Sequence, residues 1–170
     1  MTEAVPGRKR LAVLWDSISA DQFTAAEQRA KALGLQVQSL KMEKPPYDLD
    51  AAFRTMTEAG SQMLLALTSQ FFGRQSKPLI ELATRDRLPS MFIFKPWTEA
   101  GGLMSYGADN VAMYRQGAGH VAKILQGANP TDLPVELPTK FEFAVNLKTA
   151  KAIGIDLPTS ILLRANEVIE

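Results

Sequence analysis

Short apolar runs alternate with amphipathic segments along the first two thirds of the chain. Continuous apolar runs predict strands buried on both faces at Arg10–Trp15, Met63–Leu67 and Pro89–Phe94. Leu35–Leu40 alternates apolar and polar residues, which predicts an edge or half-exposed strand. Four strands, each followed by a helical segment, predict an α/β fold in which a parallel sheet carries helices on both faces.

The segments between these strands have the spacing and the end signals of helices. Phe23–Leu33 places apolar residues on one face and is followed by Gly34, a usual residue just after a helix. Asp48 is the predicted N-cap of a second helix. A third helix is predicted through Ile80 and Leu82.

The last third of the chain has a different organisation. A helix is predicted over Asn110–Gln126, followed by an extended connector that holds Pro130, Pro134 and Pro138. The pattern then predicts a short strand at Phe141–Asn146, a short helix ending at Gly154, and a last helix with Pro158 at its first position. We therefore expect an α/β domain over residues 1–107 and, over 108–170, a crossover helix, a connector, a short strand and terminal helices.

The predicted helix after residue 109 has an apolar stripe on one side. The stripe consists of Val111, Tyr114, Ala118, Val121 and Leu125. The apolar faces of these last helices need a partner, so a homodimer through exposed C-terminal helices is one expectation.

Composition and charge exclude several classes of function. The 170 residues suffice for one domain with a core, and 19 basic against 18 acidic residues leave a net charge of +1. No global field therefore favours nucleic acid or an anionic membrane, and no nucleic-acid partner is expected. The chain has no cysteine, which excludes thiolate catalysis and cysteine metal sites.

The sequence carries no motif typical of an enzyme. Dinucleotide-binding, P-loop and serine-hydrolase motifs are missing, and His120 is the only histidine. Asp16 with Lys95 is the only pair that suggests proton transfer, and Lys95 reads better as a solvated charge. The third strand ends in Thr68, Ser69 and Gln70, so a phosphoacceptor carboxylate is lacking. We expect no catalytic activity, no cofactor and no metal.

Candidate ligand-binding residues follow the strands, because ligands of parallel sheets bind at the carboxyl ends of the strands. Three loops qualify, at residues 16–21, 68–74 and 95–102. Alternative roles are a helix cap for Ser19 or Asp21, an anchor of a helix to the core for Phe71 or Phe72, and packing at a hinge for Trp97. The predicted ligand-binding residues are Asp16, Ser17, Ser69, Gln70, Phe71, Phe72, Trp97 and Tyr106.

Long stretches of the chain resemble a known family of transport proteins. The matching pieces are EAVPGRKRLAVLW near the start, EAGGLMSYG, AKILQGANP, DLPVELPTKFEF, NLKTAKAIGI and the terminal LLRANEVIE. They resemble the C-terminal half, including the second lobe, of ABC transporter substrate-binding proteins, whose members include tryptophan- and tyrosine-type binding proteins. The resemblance covers essentially the whole chain.

The resemblance implies one lobe of a type I periplasmic-binding-protein-like clamshell together with a crossover C-terminal segment. It implies binding of a small organic solute, with amino acids as one candidate class, by closure of a cleft. It also implies delivery of that solute to an ABC permease. Gly101, Gly102 and Gly107 then read as hinge glycines around a crossing strand at Leu103–Ser105, with Tyr106 at the cleft mouth. Where amino-acid-binding members have an Asp-Asn pair, this chain has Ser69 and Gln70, so no acidic partner for an α-amine stands there.

The resemblance also implies features that this chain does not carry. Family members are periplasmic and have a first lobe and an export signal or anchor, so the chain as given is expected to be cytoplasmic or a fragment. The alternatives are a ligand-sensing or dimerising α/β domain without a transport role, and a truncated half that binds nothing.

Overall fold

A seven-stranded sheet forms the centre of the protein. The computed structural model describes all residues from Met1 to Glu170. The strands are β1 (Arg10–Asp16), β2 (Gln36–Met42), β3 (Met63–Ala66), β4 (Ser90–Phe92), β5 (Met104–Ala108), β6 (Phe141–Asn146) and β7 (Glu167–Ile169). They lie in the order β2-β1-β3-β4-β5-β6-β7, and only the β5–β6 pair is antiparallel.

Helices cover both faces of this sheet. They are α1 (Ala20–Ala32), α2 (Leu49–Glu58), α3 (Gln70–Arg74), α4 (Ser76–Arg85), α5 (Lys95–Glu99), α6 (Asn110–Leu125), α7 (Leu147–Ala152) and α8 (Thr159–Leu162). On one face α2 and α4 pack over β1 and β3 in a core that contains Phe53, Leu79 and Phe92. On the other face α1, α7 and α8 join the N-terminal residues around Leu11, Val13 and Val145.

The strand and helix predictions for the first half are confirmed. Leu11, Ala12, Val13 and Leu14 are all buried in succession, as a strand covered on both faces requires. β2 is an edge strand with alternating exposure. The carboxylate of Asp48 caps α2 by accepting a hydrogen bond from the backbone N–H of Ala51 at 2.8 Å.

Two segments predicted as loops contain short helices. α3 forms because the Ser69 hydroxyl accepts a hydrogen bond from the N–H of Phe71 and so caps the first turn. α5 follows β4, which ends at Phe92 and not at Phe94, and Pro96 in its first turn has the fixed φ of a helix start. Neither helix has the length at which an apolar period becomes readable.

The predicted last helix is short and is followed by a strand. Pro158 is the N-cap and not the first helical residue, and α8 ends after four residues at Leu162. The chain then forms β7 because the backbone N–H of Asn166 donates to the Phe143 carbonyl at 2.7 Å, and the Asn166 side chain accepts from the Phe143 N–H at 2.8 Å. Sheet pairing therefore overrides the helical preference of this segment.

The sheet continues past the boundary predicted after residue 107. β6 pairs with β5 along five residue pairs, and β7 pairs with β6. The part of the chain that projects from the sheet is shorter than the predicted 108–170 and comprises residues 109–140. The backbone N–H of Asp109 donates a hydrogen bond to the Lys140 carbonyl, so the two ends of this projecting segment lie side by side. α6 within it has no buried residue. The division into 1–107 and 108–170 stays a prediction.

Gly102 and Gly107 have steric reasons inside this domain. A Cβ on Gly102 would lie 2.7 Å from the ring of Phe92, and one on Gly107 would collide with the carbonyl oxygen of Ile93. Gly101 has a φ of +111°, which side chains rarely adopt. Close packing and backbone conformation thus require glycine at these positions, whatever their part in a hinge.

We expect Gly107→Ala to lower the free energy of unfolding by about 1 to 3 kcal/mol, because a backbone carbonyl cannot yield as a flexible side chain does. Gly119→Ala in α6 is the control, since a Cβ there meets nothing within 4 Å. It should raise stability by about 0.5 to 1 kcal/mol through helix propensity. Urea unfolding measures both, and equal effects of the two substitutions would refute the steric explanation.

Candidate functional site

The carboxyl ends of β1 and β3 lie where the strand order reverses, with β2 on one side of β1 and β3 on the other. β1 and β3 are adjacent and parallel. α1, which follows β1, packs on one face of the sheet, whereas α4, which comes after β3 and α3, packs on the other. Because these helices lie on opposite faces, the loops at the ends of the two strands border the topological crevice in which such sheets usually bind ligands.

Asp16 is the centre of this crevice and is buried, with 1% of its surface exposed. One carboxylate oxygen accepts a hydrogen bond from the Ile18 backbone N–H at 3.0 Å. The other accepts from the Tyr47 hydroxyl at 3.0 Å and from the Ser69 hydroxyl. A single side chain therefore joins the end of β1, the loop after β2 and the end of β3.

The Asp16 contacts extend into the loops on either side. The Ser69 oxygen that donates to Asp16 also accepts from the Phe71 N–H at 3.1 Å, which fixes the start of α3. The Gln75 side chain donates to the Tyr47 carbonyl at 3.1 Å. The Tyr47 ring packs against Phe71 with centroids 5.5 Å apart. These contacts hold the crevice wall in one arrangement.

Burial raises the pKa of Tyr47 to about 12, and the hydrogen bond to the Asp16 carboxylate acts in the same direction. Ionisation of the phenol would remove the donor and place two negative charges side by side. Tyr47 is therefore a constant hydrogen-bond donor to Asp16 at neutral pH.

The exposed side chains of these two loops include neutral ones, Ser17 and Gln70, and charged ones, Asp21 and Arg74. Ser17 and Gln70 are exposed, and Phe71 is half-buried against the core. Phe72, predicted as a second wall residue, is fully buried in the core and offers packing in place of ligand surface. Two adjacent residues of one helix point in different directions, and here Phe72 is the one that points into the core.

Trp97 and Tyr106 take no part in the hydrogen bonds around Asp16. Trp97 is half-buried, with its ring 5.2 Å from that of Phe92 and 6.4 Å from that of Phe94. Tyr106 belongs to the opposite face of the sheet, where its ring is stacked on Phe141 at 5.9 Å. The structure thus groups the predicted residues Asp16, Ser17, Ser69, Gln70 and Phe71.

Tyr47 is the site residue that the sequence analysis missed. It follows β2 in a loop that contains two prolines. β2 runs parallel to β1, so the carboxyl ends of the two strands lie at the same edge of the sheet. A lone aromatic residue at that place is the signal that could have identified it.

Lys95 and His120 contact other groups and not Asp16. The Lys95 ammonium lies 2.8 Å from Glu167, 3.5 Å from Glu99 and 3.8 Å from Glu142. The hydrogen bond to Glu167 raises the pKa of Lys95. His120 lies on α6, 3.6 Å from Glu136. The proton-transfer pair of Asp16 and Lys95 is therefore not formed.

Two further features concern metal binding and membrane insertion. No group of three or more His, Asp or Glu side chains is placed to hold a metal ion. No helix combines the length and the apolar character needed to cross a bilayer.

A comparison with family models gives a match over almost the whole chain. A family model described as "ABC transporter substrate binding protein" matches residues 1–169. A sequence comparison with curated proteins finds no significant match.

Solved structures share the fold. A conserved domain protein from Vibrio cholerae superposes with a TM-score of 0.89 at 23% identity, and the match covers 98% of this chain and 57% of that protein. An ABC domain in complex with L-Trp from Streptococcus pneumoniae gives 0.87 at 22% identity, with 99% and 57% covered. An open, ligand-free substrate binding protein with adhesive properties from Clostridium difficile gives 0.71 at 18% identity, with 98% and 56% covered. The chain thus spans a little over half of these proteins and corresponds to one lobe.

We expect Asp16→Ala to lower the free energy of unfolding by about 3 kcal/mol, because it leaves buried hydroxyl and amide donors without an acceptor. Asp21→Ala is the control, an exposed aspartate in the first turn of α1, and it should change stability by about 0.5 kcal/mol or less. Chemical denaturation measures the difference. A loss for Asp16→Ala as small as that of the control would show that Asp16 does not hold the crevice together.

The Tyr47 phenol is expected to ionise near pH 12, above its value of about 10 in unfolded chains. Because the folded-state pKa is raised, the stability that this group contributes is complete below pH 10 and is lost as the pH rises towards 12. The difference in ultraviolet absorbance between the protein and its Tyr47→Phe variant isolates this one phenol. A difference titration centred near pH 10 would contradict the buried hydrogen bond to Asp16.

Proposed function

The chain belongs to the ABC transporter substrate binding protein family, and we propose that it is the lobe of a solute-binding protein that takes up a small organic solute for an ABC permease. The observation that supports this most strongly is the crevice between β1 and β3, where Asp16 fixes both walls from inside. Exposed hydrogen-bonding groups and an aromatic edge then lie on a rigid base, as a small-molecule site needs.

The exposed chemistry favours a solute with neutral polar groups and an apolar or aromatic part. Ser17 offers a hydroxyl, Gln70 an amide, and Phe71 a flat apolar surface. The Asp16 carboxylate is occupied by three donors and buried, so it does not serve as a free counter-charge for an ammonium group. L-Trp in the pneumococcal protein makes aromatic amino acids a reasonable first class to test.

We further propose that the solute is enclosed by closure of a second lobe over this crevice. The chain leaves the sheet after β5 and returns before β6, and the two passages are joined by the hydrogen bond from Asp109 to Lys140. Bending at this pair of passages, next to Gly107, is the proposed hinge, whereas Gly101 and Gly102 lie before β5. Ligand binding then shifts the population towards the closed form that a permease recognises.

We propose no catalytic step for this protein. We also propose that it lies outside the cytoplasmic membrane, where members of this family act. The Asp16 carboxylate holds the loops together. Lys95, the lysine predicted as its partner, is paired instead with three glutamates. Recognition by hydrogen bonding and aromatic contact is what these side chains can provide.

Thermal-shift screening of the 170-residue chain against amino acids, L-tryptophan included, and other small organic solutes tests the proposal. A ligand present at 100 times its Kd should stabilise the protein by about 2.7 kcal/mol, which is seen as a higher Tm. Gln70→Ala and Phe71→Ala should reduce the shift, whereas Gln28→Ala, an exposed glutamine on α1, should leave it unchanged. Absence of a shift with every solute at millimolar concentration would contradict binding by this lobe.

A further inference from the structure

Gln22 links α1 to the end of β3 at the edge where the proposed site lies. It is the third residue of α1, and its side-chain carbonyl oxygen accepts a hydrogen bond from the Thr68 backbone N–H at 3.2 Å. One residue earlier, the Leu67 N–H still donates to the Leu14 carbonyl of β1 at 3.0 Å. The Thr68 N–H is therefore the first backbone donor beyond β3 that a side chain satisfies.

The bond between Gln22 and Thr68 can be exchanged for another at little cost. Gln22 is exposed, and 3.2 Å is at the long end of the range for an N–H···O bond. The net gain from such a bond changes an equilibrium constant by about two- to tenfold, and a glutamine that is held also loses rotamer freedom. By contrast, Asp16 at the same edge is buried with three donors. The edge thus combines a fixed base with one donor that another oxygen can take over.

The charges of the two loops favour an uncharged oxygen as the second acceptor of this donor. Asp16 and Asp21 place two carboxylates at the end of β1 and in the first turn of α1. Arg74, the last residue of α3, is the only cation within residues 16–21 and 68–74. A solute carboxylate would therefore meet more negative than positive charge, and Asp21 already compensates the positive end of α1. Gln22 itself shows that the carbonyl of a carboxamide fits the donor.

Phe71 lies close enough to Thr68 for one small solute to contact both. Three residues of extended chain span at most about 11 Å. The Ser69 hydroxyl, which donates to Asp16, also accepts from the Phe71 N–H, so both residues belong to a turn that Asp16 fixes. The Phe71 ring is half-buried and leaves part of its surface to a solute.

We propose that the Thr68 N–H is the donor that anchors the solute, and that the Gln22 carboxamide competes with the solute for it. The solute presents an uncharged amide carbonyl oxygen to Thr68 and an apolar or aromatic part to Phe71. Gln22 then lowers the affinity for every solute and excludes those whose oxygen cannot displace its own. This inference rests on the proposed function and adds to it the polar group that is recognised.

Isothermal titration calorimetry of the 170-residue chain with two matched probes tests this competition. Indole-3-acetamide presents an uncharged amide where indole-3-acetate presents a carboxylate on the same aromatic part. We expect the amide to bind at least about fivefold more tightly than the acid. Gln22→Ala should tighten binding of the amide by about two- to tenfold, because it removes the competing oxygen. Gln28→Ala, an exposed glutamine further along α1, is the control and should leave both affinities unchanged.

Gln22→Met separates competition from a gain of space, since methionine is nearly as long as glutamine but has no carbonyl oxygen. Tighter binding of indole-3-acetamide in both variants supports competition, whereas tightening in Gln22→Ala alone would overturn it. Hydrogen exchange of the Thr68 amide should be about two- to tenfold faster in both variants and should be slowed again by indole-3-acetamide. Exchange that neither the substitutions nor the probe alter would overturn the assignment of this donor.

The remaining outcomes separate this inference from the proposed function. Unchanged or weaker binding of indole-3-acetamide in Gln22→Ala would overturn the competition, because weaker binding would make Gln22 a direct contact. If other solutes of the thermal-shift screen bind and indole-3-acetamide does not, the amide class is wrong and the proposed function stands. A screen in which no solute binds contradicts the proposed function itself.

Discussion

The buried Asp16 carboxylate is the constraint on which the binding edge depends. A charge removed from water costs several kcal/mol unless hydrogen bonds replace its hydration. Here the donors come from three separate places: the backbone at Ile18, the loop after β2 at Tyr47, and the end of β3 at Ser69. These hydrogen bonds hold the end of β1, the loop after β2 and the end of β3 against one another at the carboxyl edge of the sheet.

The two faces of the sheet are covered to different extents. α2 and α4 close one face over β1 and β3, whereas on the other face an apolar groove remains between α1 and α8. α6 projects from the sheet with its apolar stripe exposed. The chain spans 57% of the V. cholerae and pneumococcal structures.

The sequence predicted the fold wherever a local pattern determines structure. Four successive buried residues in β1 and a capped amphipathic α2 could be recognised because burial and capping leave a periodic signal. α3 could not, since five residues carry no period and one serine cap decides its start. β7 could not be recognised in the sequence, because the hydrogen bonds between Asn166 and Phe143 that lead into it join residues 23 positions apart.

The candidate site shows the same limit. The rule that ligands bind at strand ends found Asp16, Ser17, Ser69 and Gln70. The rule could not show that the Asp16 carboxylate points inward to bind Tyr47, a residue 31 positions later. The rule also could not decide whether the side chain of Phe71 or that of Phe72 would be buried in the core. Such choices depend on tertiary contacts.

Solute binding over the Asp16 carboxylate, at the edge between β1 and β3, is tested most directly by a titration followed by amide NMR. The solute is the one that gives the largest thermal shift. We expect the amides of Ser17, Ser69, Gln70 and Phe71 to move first and furthest, while those of Met91 and Phe143, on the face opposite to α2 and α4, stay unchanged. Movement confined to that face or to α6, with the amides at the β1–β3 edge unchanged, would contradict binding at this edge.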